Sequence, residues 1–400
     1  MIQQIFSSPV STALELPNPD VRNGFSAYIH IPFCARRCGY CDFNTYTNLH
    51  FPAGAGAAEF SATLCREIEL SAKILNAGAP AGELRSVFFG GGTPTLLPAA
   101  ALKQILEKLR SVYGISATAE ITTEANPETL TYEKLYQLQE SGINRISFGM
   151  QSAVKSVLKT LDRMHTPGQT ARVCHWAEKL GMRYSLDLIY GTPGESMADW
   201  DFSLHEAIAL GPEHISAYAL TVEKNTKMGR ALERKEIPAP DPDILADKYQ
   251  HAEEILTSHG YQWYEISNWA RPGAACQHNL HYWQRDNYWG YGPGAHSCIN
   301  DTRFWNTAHP LAYAQQLVSP DPQLPIAGQE HLGAAEIREE EIMLGIRCRA
   351  GIPLSFSPSP AIARQLLEDG LIEATAWAEG RLQLTLRGRL LADTVIRALW

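Results

Sequence analysis

Read for apolar and polar positions, the first half of the chain alternates between two periods. Six short runs are apolar or β-branched at nearly every position: 27–31, 86–89, 119–123, 145–148, 184–189 and 214–220. Between them lie longer stretches, 59–75, 99–112, 130–140, 170–180 and 200–210, whose apolar residues recur at helical spacing. Short strands alternating with amphipathic helices predict parallel βαβ units. Six such units fall short of the eight of a closed barrel, so the expected fold is α/β, a partial (β/α)6 TIM-like barrel.

The pattern changes near residue 238. Pro238-Ala-Pro-Asp-Pro242 reads as a linker and 243–258 as a helix. A dense aromatic run follows, containing Tyr261, Trp263, Tyr264, Trp269, Tyr282, Trp283, Tyr288, Trp289 and Tyr291, and 319–325 reads as a second linker. The tail opens with helical spacing at 334–346 and again at 361–368. Then 370–373 and 381–386 read as a strand pair, and a last helix ends at Trp400. That order, α+β, is winged-helix-like. Residues 1–24, rich in Ser, Pro and Asn, read as an extended leader.

Composition narrows the class. Hydrophobic residues at 45% and charged residues at 19% are those of an ordinary globular chain. A net charge of −9 argues against a nucleic-acid partner, for the winged-helix-like tail as for the rest. The first residues lack a basic stretch followed by an apolar core, and no apolar run approaches the roughly 20 residues of a membrane span. Peripheral membrane contact stays open. Eight cysteines scattered over 400 residues do not form a disulfide framework, which fits a reducing, cytoplasmic setting.

Three of those cysteines carry the chemistry. Cys34, Cys38 and Cys41 follow the first apolar run as C-x3-C-x2-C. Thiolates suit iron–sulfur clusters and zinc. Three thiolates would fill three corners of a four-iron cluster and leave one iron open; the bland reading is a zinc site lacking a ligand. Polar and glycine residues then follow successive strands: Gly90-Gly91-Gly92-Thr93-Pro94-Thr95, Glu124-Ala125-Asn126-Pro127, Gly149-Met150-Gln151-Ser152 and Asp187 with Gly191-Thr192-Pro193-Gly194-Glu195. Strand C-terminal ends are where barrel enzymes gather ligands. Any one of these runs also makes a plain turn.

The words HIPFC and YCDFNTY around the cysteines resemble the signature of the radical S-adenosylmethionine (SAM) superfamily, and within it the HemN/HemW branch. The resemblance runs from Tyr28 to the C-terminus. It implies a radical SAM barrel over 25–237, an aromatic-rich extension over 238–325 and a HemN-type domain over 326–400. It implies a 4Fe-4S cluster on Cys34, Cys38 and Cys41, with SAM as the ligand of the open iron. By the same resemblance Tyr28 and Tyr40 lie beside cluster and nucleoside, and Gly92 and Thr93 line the methionine end. Glu124, Gln151, Arg163 and Asp187 match SAM-contact positions, and Ala219 matches an adenine contact. Arg163 suits the SAM carboxylate, because a guanidinium binds carboxylate in a fork.

His278-Asn-Leu-His281-Tyr282-Trp283 resembles the HNxxYW motif of the HemW group, a candidate site for heme b. Imidazole is a common axial ligand of heme iron; His278 is the first candidate and His281 the second. The alternative is an aromatic loop whose histidines are satisfied internally. Cys276-x-His278 and His296-x-Cys298 mirror each other, but the resemblance implies no metal there.

Within the branch, the oxygen-independent coproporphyrinogen III dehydrogenases resemble this chain but carry a further cysteine where Phe43 stands. They also have a longer region before the motif and lack HNxxYW. The expectation is therefore a heme chaperone serving apo-hemoproteins such as respiratory enzymes, with cluster-dependent homodimerisation implied by the family. The alternatives are the dehydrogenase and a related radical SAM methyltransferase.

Overall fold

A computed structural model describes residues 14–16, 19–77 and 79–400, so most of the expected leader lies outside the described residues. In chain order the elements are β1 (Phe25–Ile31), α1 (Phe60–Leu75), β2 (Leu84–Gly91), α2 (Ala99–Tyr113), β3 (Ile115–Ala125), α3 (Tyr132–Glu140), β4 (Arg145–Gln151), α4 (Lys155–Thr160), α5 (Pro167–Leu180), β5 (Arg183–Tyr190), α6 (Met197–Ala209) and β6 (His214–Ala219). The second half adds α7 (Lys227–Glu233), α8 (Pro242–Ser258), β7 (Gln262–Glu265), β8 (Asn268–Ala270), α9 (Gln277–Trp283), β9 (Tyr288–Tyr291), β10 (His296–Ile299), β11 (Thr302–Asn306), α10 (Pro310–Val318) and β12 (Ile326–His331). The tail holds α11 (Ala334–Gly345), β13 (Ile352–Pro353), α12 (Pro360–Glu368), α13 (Ala374–Ala378), β14 (Arg381–Leu382), α14 (Leu386–Leu390) and α15 (Ala392–Leu399).

These elements form two compact units. The first comprises residues 1–35, 44–119 and 286–333; the second comprises 36–43, 120–285 and 334–400. In the first, β1 lies parallel to β2 on one side, with Ala27 opposite Val87, and to β9 on the other, with Ala27 opposite Trp289. Antiparallel β10, β11 and β12 extend that sheet. Phe25, Ala27, Ile29 and Ile31 are buried, because a strand with neighbours on both edges and helices over its face has no wet side. Helix α1 seats Phe60, Leu64, Ile68 and Leu75 in the core along one stripe.

In the second unit β4 is parallel to the end of β3 and to β5, and β5 is parallel to β6. The β7–β8 hairpin continues antiparallel from β6. All seven residues of β4 are buried. The connecting helices start where local chemistry tells them to. A Thr166–Gln169 capping box with Pro167 opens α5, and a Ser196–Asp199 box opens α6. Gly181, left-handed at φ 65°, ends α5. Six parallel strands alternating with helices match the expected βα repeat.

Two regions differ from expectation. The aromatic run contains strands, since Tyr288–Tyr291 supplies a parallel neighbour for β1. In the tail, 370–373 and 381–386 do meet antiparallel, the Glu373 N–H donating to Gln383 O and the Thr385 N–H to Leu371 O, but α13 lies between them and the pairing is brief. Arg381–Leu382 pairs in addition with Ile352–Pro353, and Ile372 and Leu384 share a single bridge. The cause is local: Thr385 accepts from the Gly388 N–H and starts α14 at Leu386, cutting the strand short.

Candidate functional site

The first unit prepares the start of the cysteine loop. β1 runs into Cys34, whose N–H donates to Tyr46 O at 3.0 Å, while the Tyr46 N–H donates to Pro32 O at 2.7 Å. The neck of the loop is thus zipped by backbone. The glycine turn after β2 presses on the same strand end. The N–H groups of Gly92 and Thr93 donate to Ile31 O and Phe33 O, both at 2.8 Å. A Cβ on Gly92 would come within 2.5 Å of Phe33 O, so only glycine permits this approach. Thr93 is buried and its hydroxyl lies 3.8 Å from Cys34 Sγ. Tyr28 OH meets His30 Nδ1 at 3.1 Å, His30 Nε2 meets Asn44 O at 2.9 Å, and Asn44 Nδ2 donates to Pro293 O and Ala308 O.

The second unit carries the remaining thiols and, of the expected SAM residues, Tyr40, Glu124, Gln151, Arg163, Asp187 and Ala219. Cys38 and Cys41 are half-buried in one turn, with the Cys41 N–H donating to Cys38 O at 3.2 Å. Arg163 Nη1 lies 3.5 Å from Cys38 Sγ, and its Nη2 donates to Asn126 Oδ1 at 2.5 Å and Gly149 O at 3.1 Å. Arg163 Nε is buried with no partner, an unspent donor beside a thiol. Burial pushes the Tyr40 phenol above its ordinary value and keeps it neutral.

Glu124 stands opposite Ser147 in the β3–β4 register, and Gln151 ends β4 with a left-handed φ of 62°. Such a conformation in a non-glycine residue marks a backbone bent for a purpose. Asp187 accepts from Ser147 Oγ and Ser216 Oγ, each at 2.7 Å. Burial raises its pKa, and the two hydroxyls oppose that rise. Ala219 ends β6 and is exposed.

The aromatic motif sits at the other end of these strands. Helix α9 docks through Glu120, whose Oε1 accepts from the His278 N–H and the Cys276 thiol, both at 3.2 Å. Glu120 Oε2 lies 3.9 Å from both Arg145 and Arg183, the first residues of β4 and β5. Within this unit the motif therefore caps the N-terminal ends of the strands, whereas Gln151 and Ala219 mark their C-terminal ends. His278 is 2% exposed; its Nε2 meets Tyr282 OH at 2.9 Å and its ring stands edge-on to the Tyr282 ring. Burial lowers the His278 pKa to about 3, so the imidazole is neutral. Asn279 donates to Tyr264 OH and Glu265. His281 is buried, Tyr282 and Trp283 are half-buried, and Trp283 Nε1 has no partner.

Among the described residues no three His, Cys, Asp or Glu side chains are grouped as a metal ion would require. The donor chemistry nevertheless fits an iron–sulfur cluster. No cysteine is in a disulfide, and a half-buried arginine and a buried threonine hydroxyl face two of the three sulfurs. Among the described residues no helix is long and apolar enough to cross a membrane. Four residues carried no assigned role in the sequence reading: Asn126, which shares Arg163; Ser147 and Ser216, which hold Asp187; and Glu120, which anchors α9. Asn126 lay in a recognised run, but a lone acid in β3 gives no signal of what it will meet.

The sequence profile of the Radical SAM superfamily matches residues 28–207. The chain is 44% identical, over 96% of its length and 98% of the relative's, to the heme chaperone HemW of Mycobacterium tuberculosis. It is 34% identical to the heme chaperone HemW of Bacillus subtilis, over 93% of this chain and 98% of that one. Among solved structures it resembles coproporphyrinogen III oxidase (HemN) of Escherichia coli, a radical SAM enzyme, with TM-score 0.79 and 23% identity over 94% of this chain and 90% of that one.

Proposed function

Because the chain belongs to the radical SAM superfamily and, within it, to the heme chaperone HemW family, we propose that it binds heme and hands it to apo-hemoproteins, respiratory enzymes among them. The observation that carries this reading is the HemW relationship across nearly the whole chain. The likeness to coproporphyrinogen III oxidase is one of fold. Phe43 supports the choice: it is 60% exposed at the position where the dehydrogenases carry a further cysteine.

In this reading Cys34, Cys38 and Cys41 hold a 4Fe-4S cluster, and Tyr28, Tyr40, Gly92, Thr93, Glu124, Gln151, Arg163, Asp187 and Ala219 hold SAM. Cluster and SAM together supply one-electron reductive chemistry when bound. The chain's own residues orient and shield. Arg163 keeps its charge beside Cys38 and offers a fork for a carboxylate. Gly92 lets backbone approach closely, and Asp187 is fixed between two serines. His278 and His281 are the candidate heme ligands, flanked by Tyr282 and Trp283. A neutral imidazole is the ligating form, and His278 Nε2, which meets Tyr282 OH at 2.9 Å, would be the nitrogen that holds heme iron. Dimerisation with the cluster and contact with a membrane surface belong to the same proposal.

The test is anaerobic purification, cluster reconstitution and titration with hemin. A saturable Soret band that is lost in His278→Ala supports the proposal. Conversion of coproporphyrinogen III to protoporphyrinogen IX by the purified chain overturns it.

A further inference from the structure

Asp162 lies in the link between α4 and α5, one residue before Arg163. Its φ is 57°, a left-handed conformation in which glycine is the unstrained choice. The side chain is only 18% exposed, and its two oxygens are used separately. Oδ1 accepts from Arg36, in the segment between Cys34 and Cys38, at 3.1 Å. Oδ2 accepts from Lys227, at the start of α7, at 2.7 Å. Gly39, next to Cys38, packs so closely that a Cβ there would stand 2.8 Å from Oδ2. Gly39 O accepts the Met228 N–H at 2.8 Å, so α7 grips the same turn. Leu161 and Met228 share a buried apolar cluster against which Tyr40 packs.

We propose that Asp162 is a positioning residue for the cysteine loop, a carboxylate latch tying Arg36 and Gly39 to α7 and setting Cys38 against Arg163. This rests on the reading that the loop carries the cluster. Two half-exposed ion pairs are individually weak. Their effect here comes from joining one loop to two fixed elements, at a left-handed backbone position that glycine would occupy at lower cost. No sequence motif marks the residue.

Asp162→Gly separates this role from a merely structural one, because it removes the carboxylate while relieving the backbone. In cluster-free protein, trypsin cuts after Arg36 and Arg37, both exposed. The latch predicts that Asp162→Gly is cut there roughly five- to tenfold faster than the parent, with thermal stability unchanged or higher. Reconstituted protein then loses its brown chromophore to an iron chelator faster by a similar factor. Asp162→Asn, which keeps the shape and removes the charge, gives an intermediate effect and serves if the glycine variant does not fold. Cleavage and chelator loss equal to the parent in both variants overturn the proposal. A parent chain that takes up no cluster overturns the underlying reading instead, while the trypsin comparison still decides the latch.

Discussion

Acid should loosen the aromatic motif through His278. Its ordinary pKa is 6.5 and its value in place is about 3, set first by burial and then by His281 and Arg145. A histidine with a lowered pKa binds its proton more readily unfolded than folded. Its stabilising contribution is therefore intact above pH 6.5 and is lost as pH falls toward 3. At pH 5 the deficit is about 1.5 pH units, and at ~1.36 kcal/mol per unit it amounts to about 2 kcal/mol. His214, shifted well below its ordinary value, and His165, lowered to about 4, add slopes of the same sign. The wild-type slope alone is thus not diagnostic, and the comparison must be with His278→Phe, which keeps a buried ring and cannot titrate. The variant starts lower, because the His278–Tyr282 hydrogen bond is lost, at a cost of about 0.5–1.5 kcal/mol. The assay is urea unfolding followed by tryptophan fluorescence at pH 7 and pH 5. The wild type should lose about 2 kcal/mol more than the variant between those values. Parallel pH slopes would refute the claim that this imidazole is held neutral by burial.

Two further outcomes follow from single contacts. Lys248 Nζ donates to Glu195 Oε2 at 2.7 Å with both side chains at most 1% exposed, so Lys248→Met strands a buried carboxylate. It should cost about 3–5 kcal/mol by chemical denaturation, and Glu195→Gln in the same chain should recover much of the loss. Arg163→Lys keeps the charge and loses the fork that reaches Asn126 and Gly149. SAM affinity by equilibrium dialysis should fall roughly tenfold, and an unchanged affinity would remove Arg163 from the site.

The βα repeat was legible because burial on both faces leaves continuous apolar runs, as in β4, and because caps such as Thr166 and Ser196 announce helix starts. The cysteine loop and the polar strand ends were legible from spacing. The β9 strand was not, since Tyr288-Trp289-Gly290-Tyr291 reads equally as an aromatic loop until β1 stands beside it. The seat of the HNxxYW helix was hidden for the same reason. It depends on Glu120, which precedes His278 by 158 residues. Asp162 shows the limit most plainly: its role is written in a backbone angle and three distant partners, none of which a local pattern encodes.

The most direct test of the central claim is a hemin titration of the purified chain, followed by mixing the loaded protein with an apo-hemoprotein. A saturable Soret band at one heme per chain, transferred to the apo-protein on mixing and absent in His278→Ala, is the predicted result. A chain that takes up no hemin, or that turns over coproporphyrinogen III, contradicts it.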